Sequence, residues 1–255
     1  MLRDRTGCFL SVGRKNSLTE KNNINLEIIK NYSKAISRDP NNFLFYLERG
    51  KAKHEYGDFK GAINDFNYAF KLSSEPRVIF YKANSKYKYG DFQGAIKDYE
   101  NLKFFEEYKD QILYNLASAQ LFEFDYKNAI KNYTKSIKYV SKDEYAYLNR
   151  GNGKFKLEDY EGSSLDYGKS LEINNRSYIA FNNRGVSNFK LKNYRSALED
   201  FKKSLKINPR NYSTLYNKSL THLELKEIKK ACIDLKKSIK LGKEVFKREY
   251  LKICP

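Results

Sequence analysis

Small residues recur at a fixed interval along this chain, and that interval constrains the fold more than any other feature. One column runs Gly50, Ala83, Ala117, Gly151, Gly185 and Ser219, at spacings of 33, 34, 34, 34 and 34 residues. A second, with the same spacings, runs Ala62, Ala95, Ala129, Ser163, Ala197 and Ala231. Two aromatic columns keep register with them. The first is Phe59, Phe92, Tyr126, Tyr160 and Tyr194, closed by Ile228; the second is Phe66, Tyr99, Tyr133, Tyr167 and Phe201, closed by Leu235. Self-similarity at such a period marks a repeat architecture, in which each unit buries its apolar face only by stacking on its neighbours.

Within a unit the apolar residues follow helical spacing, as in Ala62, Ile63, Phe66, Ala69 and Phe70. A turn signal divides each unit: Gly57-Asp58, Gly90-Asp91, Phe124-Asp125, Glu158-Asp159, Lys192-Asn193 and Lys226-Glu227. Each unit therefore reads as a helix, a tight turn and a second helix. The small columns let the two helices approach closely, and the Tyr and Phe columns fill the remaining space. Pro40 and Pro209 fall between units, where a helix has ended.

The period, the small columns, the aromatics and the proline between units resemble the tetratricopeptide repeat family, most closely in KSLKINPRN at 203–211. The tryptophan usual in that family is replaced by Tyr46, Ile79, Leu113, Tyr147, Phe181 and Leu215. The resemblance implies an all-α solenoid, a right-handed superhelix of antiparallel helix pairs. Six units are expected over 43–245: 43–75, 76–109, 110–143, 144–177, 178–211 and 212–245. Tyr32, Ala35, Ile36 and Pro40 match a second helix, so a half-repeat is expected over 23–42, with Ser17 and Glu20 as a capping box at its entry. Residues 1–22 read as a loose or partly helical tail. Residues 243–255 read as a capping helix that covers the stack with Phe246, Tyr250 and Leu251.

Composition excludes several function classes. Aromatics make up 15% of the chain, too many for a disordered segment. No apolar run approaches the roughly 18–20 residues that span a bilayer. His54 and His222 stand far apart, which argues against a His-based metal site or triad. Cys8, Cys232 and Cys254 show no CxxC spacing, so a reducing, cytoplasmic setting is the expectation, with export open if the natural start lies upstream. Cys232, beside Ala231, reads as a small core residue. No phosphate loop, nucleophile elbow or HExxH is present. Asp65, Asp98, Asp166, Asp200 and Asp234 recur once per unit and are expected to pair with Arg49, Lys82, Arg150, Arg184 and Lys218. The chain thus reads as a non-enzymatic scaffold with no cofactor and no metal.

A solenoid of helix pairs presents a concave surface lined by first helices. Its inward positions hold Asn115, Asn149, Asn183 and Asn217, with Asn84 and Asn152 one turn further along. Tyr81, Tyr87, Tyr114, Tyr145, Phe155, Phe189 and Tyr216 flank them. Asparagine offers both donor and acceptor. Arrays in this family grip peptide backbone with such a ladder, and the resemblance implies the same use here, for a protein or peptide partner. The plain alternative is that some of these side chains are packing between repeats. The family's chaperone-tail clamp needs lysine where this chain has Leu47, Phe80, Tyr114, Leu148, Asn182 and Tyr216, which argues against that role.

The net charge of +18 is uneven. Residues 43–177 carry 22 basic and 20 acidic side chains, whereas 178–255 carry 19 and 7. Arg195, Lys202, Lys203, Lys206, Lys229, Lys230, Lys236, Lys237 and Lys240 fall on second helices, away from the asparagines. This basic face is either solvated surface or a dock for an acidic protein, nucleic acid or membrane. The excess of Lys over Arg and the lack of an RNA-reading signature argue against nucleic acid.

Overall fold

The computed structural model describes residues 15–241 and 247–254, and the described residues form helices joined by turns. The helices are α1 (Lys15–Arg38), α2 (Phe43–Tyr56), α3 (Phe59–Leu72), α4 (Pro76–Tyr89), α5 (Phe92–Asn101), α6 (Lys109–Phe122) and α7 (Tyr126–Tyr139). They continue as α8 (Glu144–Lys156), α9 (Tyr160–Ile173), α10 (Tyr178–Lys190), α11 (Tyr194–Ile207), α12 (Tyr212–Glu224), α13 (Ile228–Lys240) and α14 (Lys247–Ile253). The chain divides into two compact units, residues 1–139 and 140–255.

In the N-terminal unit each helix from α1 to α7 packs on the next, and the first helices α2, α4 and α6 also touch in turn. The C-terminal unit repeats this from α8 to α14, with α10 against α12. The aromatic column lies at the centre of each pair: Phe66, Tyr99, Tyr133, Tyr167 and Phe201 are all buried. Each such side chain contributes about 1.5–3 kcal/mol when removed from water. The small column is what admits the rings. A Cβ added to Gly185 would stand 2.6 Å from Phe201 Cε1, and one added to Gly151 would stand 2.8 Å from Tyr167 Cε1.

Every expected turn is present with one backbone geometry. Gly57 and Gly90 have φ of 99° and 94°, and Phe124, Glu158, Lys192 and Lys226 take left-handed values of 60–62° at the matching positions. The next residue then opens the second helix. Asp58, Asp91 and Asp159 accept from the backbone N–H of Gly61, Gly94 and Gly162. Asn42, Asp143, Ser177 and Asn211 cap the first helices α2, α8, α10 and α12 in the same way.

The ends depart from the sequence reading. Helix α1 begins at Lys15 instead of residue 23, so Ser17 lies inside the helix and cannot be its N-cap. The tail expected over 1–22 lies outside the described residues as far as residue 14, as does Phe246 of the expected cap. In α14, Leu251 is exposed and covers nothing, whereas Tyr250 is half-buried and Cys254 is buried. Cys254 is bonded to Cys232 of α13, with Cα atoms 5.7 Å apart. Cys232 is therefore no free core thiol, and cysteine usage no longer argues for a reducing compartment. Its helical position faces the C-terminal segment, a partner that its own repeat could not reveal.

Candidate binding surface

The asparagines expected to line a groove mostly hold neighbouring helices together, and the two units do so identically. In the N-terminal unit, Asn84 Oδ1 accepts from Tyr99 Oη at 2.5 Å and from Asn115 Nδ2 at 3.0 Å. In the C-terminal unit, Asn152 Oδ1 accepts from Tyr167 Oη at 2.9 Å and from Asn183 Nδ2 at 3.1 Å. Burial raises the pKa of both phenols above the ordinary tyrosine value, so each hydroxyl stays protonated and donates. One amide oxygen thus ties a second helix to two successive first helices.

The row continues across α12 with a shift of one residue. Asn217 Nδ2 donates to Asn182 Oδ1 at 3.2 Å, and Thr214 Oγ1 donates to the same oxygen at 3.0 Å. Asn182 in turn donates to Asn183 Oδ1 at 3.2 Å. Sequence reasoning assigned Asn182 only to a slot that lacked lysine. The signal that could have found it is its place beside Asn183, which makes it the neighbour of Asn217.

Two members of the expected ladder are interior. Asn149 is 0% exposed and Tyr114 is 1% exposed, with the Tyr114 ring edge-on to Tyr133 at 5.5 Å. Neither can meet a peptide, because both side chains are enclosed. Phe155 packs on Tyr160 at 5.2 Å, Phe189 on Tyr194 at 5.6 Å and Tyr87 on Phe92 at 5.5 Å. These three rings staple the turn between paired helices. Tyr81 packs into the core beside Phe80 and Phe66, with Lys51 Nζ 5.3 Å over its ring. Besides these three staples, which are themselves half-exposed, the expected residues that remain half-exposed are Tyr81, Asn84 and Asn115 in the N-terminal unit. In the C-terminal unit they are Tyr145, Asn152, Asn183, Tyr216 and Asn217.

On the second helices the repeated carboxylates find the expected cations. Asp65 and Arg49 form a two-pronged pair, and Asp166 with Arg150 and Asp200 with Arg184 do the same, at 2.6–2.9 Å. Asp98 meets Lys82 at 3.6 Å and Lys86 at 2.8 Å; Asp234 meets Lys218 at 2.8 Å. Unit 110–143 breaks this pattern. Leu116 stands at the Arg position and Asn132 at the Asp position, and Asn132 Nδ2 donates to Gln120 Oε1 at 2.9 Å. The nine basic-face residues on α11 and α13 are all exposed. Among them Lys230 pairs with Glu227, and Lys203 sits over the Phe181 ring.

Paired helices joined by tight turns, repeated at 34 residues, with small residues under a buried ring, define a helical-repeat solenoid. Residues 178–211 match a tetratricopeptide repeat model, and 110–139 and 212–242 match a second tetratricopeptide repeat model. Those three segments are tetratricopeptide repeats. By sequence it matches no curated protein. Solved structures share the fold. The C-terminal part of a TPR repeat-containing protein from Cytophaga hutchinsonii superposes with a TM-score of 0.72 at 17% identity, covering 89% of this chain and 93% of that one. A tetratricopeptide repeat protein from Parabacteroides merdae gives 0.62 at 19% identity, covering 93% and 97%. YrrB, described as a TPR protein with an unusual peptide-binding site, gives 0.65 at 18% identity, covering 73% and 97%. Among the described residues, no helix is long and apolar enough to cross a membrane.

Proposed function

We propose that this protein is a non-enzymatic scaffold that binds an extended segment of a partner protein on the first-helix face of its C-terminal unit. The observation that carries this reading is the row of amides across α8, α10 and α12. Asn152, Asn182, Asn183 and Asn217 lie side by side and half-exposed. Each side-chain amide has two N–H groups and two acceptor lone pairs. Asn183 and Asn217 each donate one N–H to a neighbouring helix, which fixes the rotamer and leaves the second N–H for a ligand carbonyl. A preorganised row of this kind loses little side-chain entropy on binding. Tyr145 and Tyr216 stand at its ends as apolar contacts. The peptide-binding site attributed to YrrB, a neighbour in fold, supports the reading by analogy.

Peptides selected from a random 12-residue display library test it. Asn183→Ala with Asn217→Ala is expected to weaken the selected peptides about tenfold or more, with helicity close to that of the parent and a melting temperature lowered by only a few degrees, since each loses one interhelical hydrogen bond. Undiminished affinity contradicts the reading. A second reading rests on the exposure of all nine cations of α11 and α13: that face docks an anionic partner. Lys236→Glu, Lys237→Glu and Lys240→Glu together then abolish binding, while the asparagine changes do not.

A further inference from the structure

A groove of about 790 Å³ runs between the second helices α5 and α7, with α6 as its floor. The corresponding groove between α9 and α11, over α10, is about 910 Å³ and lies two repeats along the sequence. Their linings differ at matched positions. Where the groove over α10 has the Arg184–Asp200 ion pair, the groove over α6 has Leu116 and Asn132, both uncharged. In charge as a whole they differ further: the groove over α10 is lined by Arg150, Lys154, Lys169, Arg184 and Lys203 against Asp166, Glu172, Glu199 and Asp200, whereas the groove over α6 carries Lys103, Lys135 and Lys138 against Glu100 alone. Lys109 also lines it but is held by Glu106 at 2.7 Å. Lys135 and Lys138 are exposed and meet no carboxylate among the described residues. Helix α5 is 10 residues long where α9 is 14, and turn residues follow it. Tyr139, more than half exposed, forms an apolar wall beside the sealed floor of Leu113 and Leu116.

We propose that this groove is a second docking site, distinct from the first-helix face, for an acidic peptide segment that lays an aliphatic or aromatic side chain against Tyr139 and Leu116. Charge complementarity selects the occupant: three lysines face one glutamate in a trough whose fixed internal ion pair has been removed. In the groove over α10 that ion pair occupies the floor and the surrounding charge is nearly balanced, so an acidic chain gains little by entering. The trough is neither enclosed nor flat, which suits a peptide segment laid into it better than a fully enclosed small molecule.

The test uses the full chain and a fluorescein-labelled probe peptide, Glu-Asp-Leu-Phe-Glu-Asp, followed by anisotropy. Leu116→Arg with Asn132→Asp rebuilds the Arg–Asp pair that three other repeats carry. It leaves the net charge unchanged and has a folded precedent in Arg184, Asp200 and Asn188. It is expected to weaken the probe at least fivefold. Lys135→Glu with Lys138→Glu is expected to weaken it at least tenfold. Lys236→Glu, Lys237→Glu and Lys240→Glu on α13 are expected to leave it unchanged. A probe with Ser-Gly in place of Leu-Phe is expected to bind at least fivefold more weakly. Four results overturn the proposal: no binding up to about 1 mM, the weak end of specific recognition; unchanged affinity in either groove variant; loss of affinity in the α13 variant; or equal binding of the Ser-Gly probe.

Discussion

Phe124, 76% exposed, holds a backbone φ of 62°, a conformation that costs an L side chain about 1 kcal/mol and glycine nothing. Gly57 and Gly90 occupy the same place in the first two repeats. Phe124→Gly is therefore expected to raise the urea midpoint, and Lys192→Gly, also left-handed, to act in the same direction; a fall in both would contradict the geometry. Gly185→Ala is expected to cost about 1–3 kcal/mol, because Phe201 is fully enclosed and cannot retreat from the added methyl. His54, hydrogen-bonded to Ser85 at 2.8 Å, has its pKa lowered from 6.5 by burial, with Lys88 adding to that against the opposing pull of Glu55. Between its folded and unfolded pKa values the unfolded chain binds more protons, so this contribution to stability is complete above 6.5 and is lost as the pH falls through the folded value. Urea midpoints measured across that range should decline more steeply for the parent than for His54→Gln. The register of these positions is legible in the sequence. The left-handed backbone at Phe124 is legible only through that register, since the residue type argues against it.

Asp65, Asp98 and Asp166 each lock a helix pair with two flanking cations, Asp200 does so with Arg184 and the Asn188 amide, Asp234 with Lys218, and the α6–α7 pair is locked without charge. Asp166 is held by Arg150 and Lys154, whereas Asn132 is held by Gln120 beside Leu116. Removing one member of a buried pair strands the others; replacing the whole set with neutral groups strands none. Asp166→Ala is accordingly expected to cost about 2–4 kcal/mol, and the set Arg150→Leu, Lys154→Gln and Asp166→Asn to cost less than that single change. Equal costs in denaturant titrations would contradict this account. At the C-terminus, seven residues of helix are too few to persist alone, and the bond from Cys232 to Cys254 closes a 22-residue separation. Cys232→Ser is expected to remove about 3 kcal/mol and to speed tryptic cleavage at Lys247 and Lys252. Cleavage unchanged from the parent would show that packing alone holds α14. The pairing of the Asp column with the Arg or Lys column is readable because both recur in five of the six repeats. The disulfide is not, because it joins a repeat to a segment outside the period.

At the scale of the molecule, the 34-residue period is enough to read helices, turns and core, because every repeat votes on the same columns. The proposed binding face is harder to read for a physical reason. A first helix is packed by its own second helix, by the preceding second helix and by neighbouring first helices, so its amphipathic phase is blurred. Asn149 and Asn152, three residues apart on α8, consequently differ between fully enclosed and half-exposed. The same crowding turns Phe155 and Phe189 into staples of the turn instead of groove walls. What survives is a first-helix face in the C-terminal unit whose amides are linked side by side and still have hydrogen-bonding capacity. Position-specific photocrosslinking tests that face directly. With p-benzoylphenylalanine in place of Tyr145, Tyr216 or the exposed Leu165 of α9, a display-selected peptide is irradiated in the presence of each variant. The account predicts adducts from the Tyr145 and Tyr216 positions and none from Leu165; adducts from Leu165 alone would contradict it.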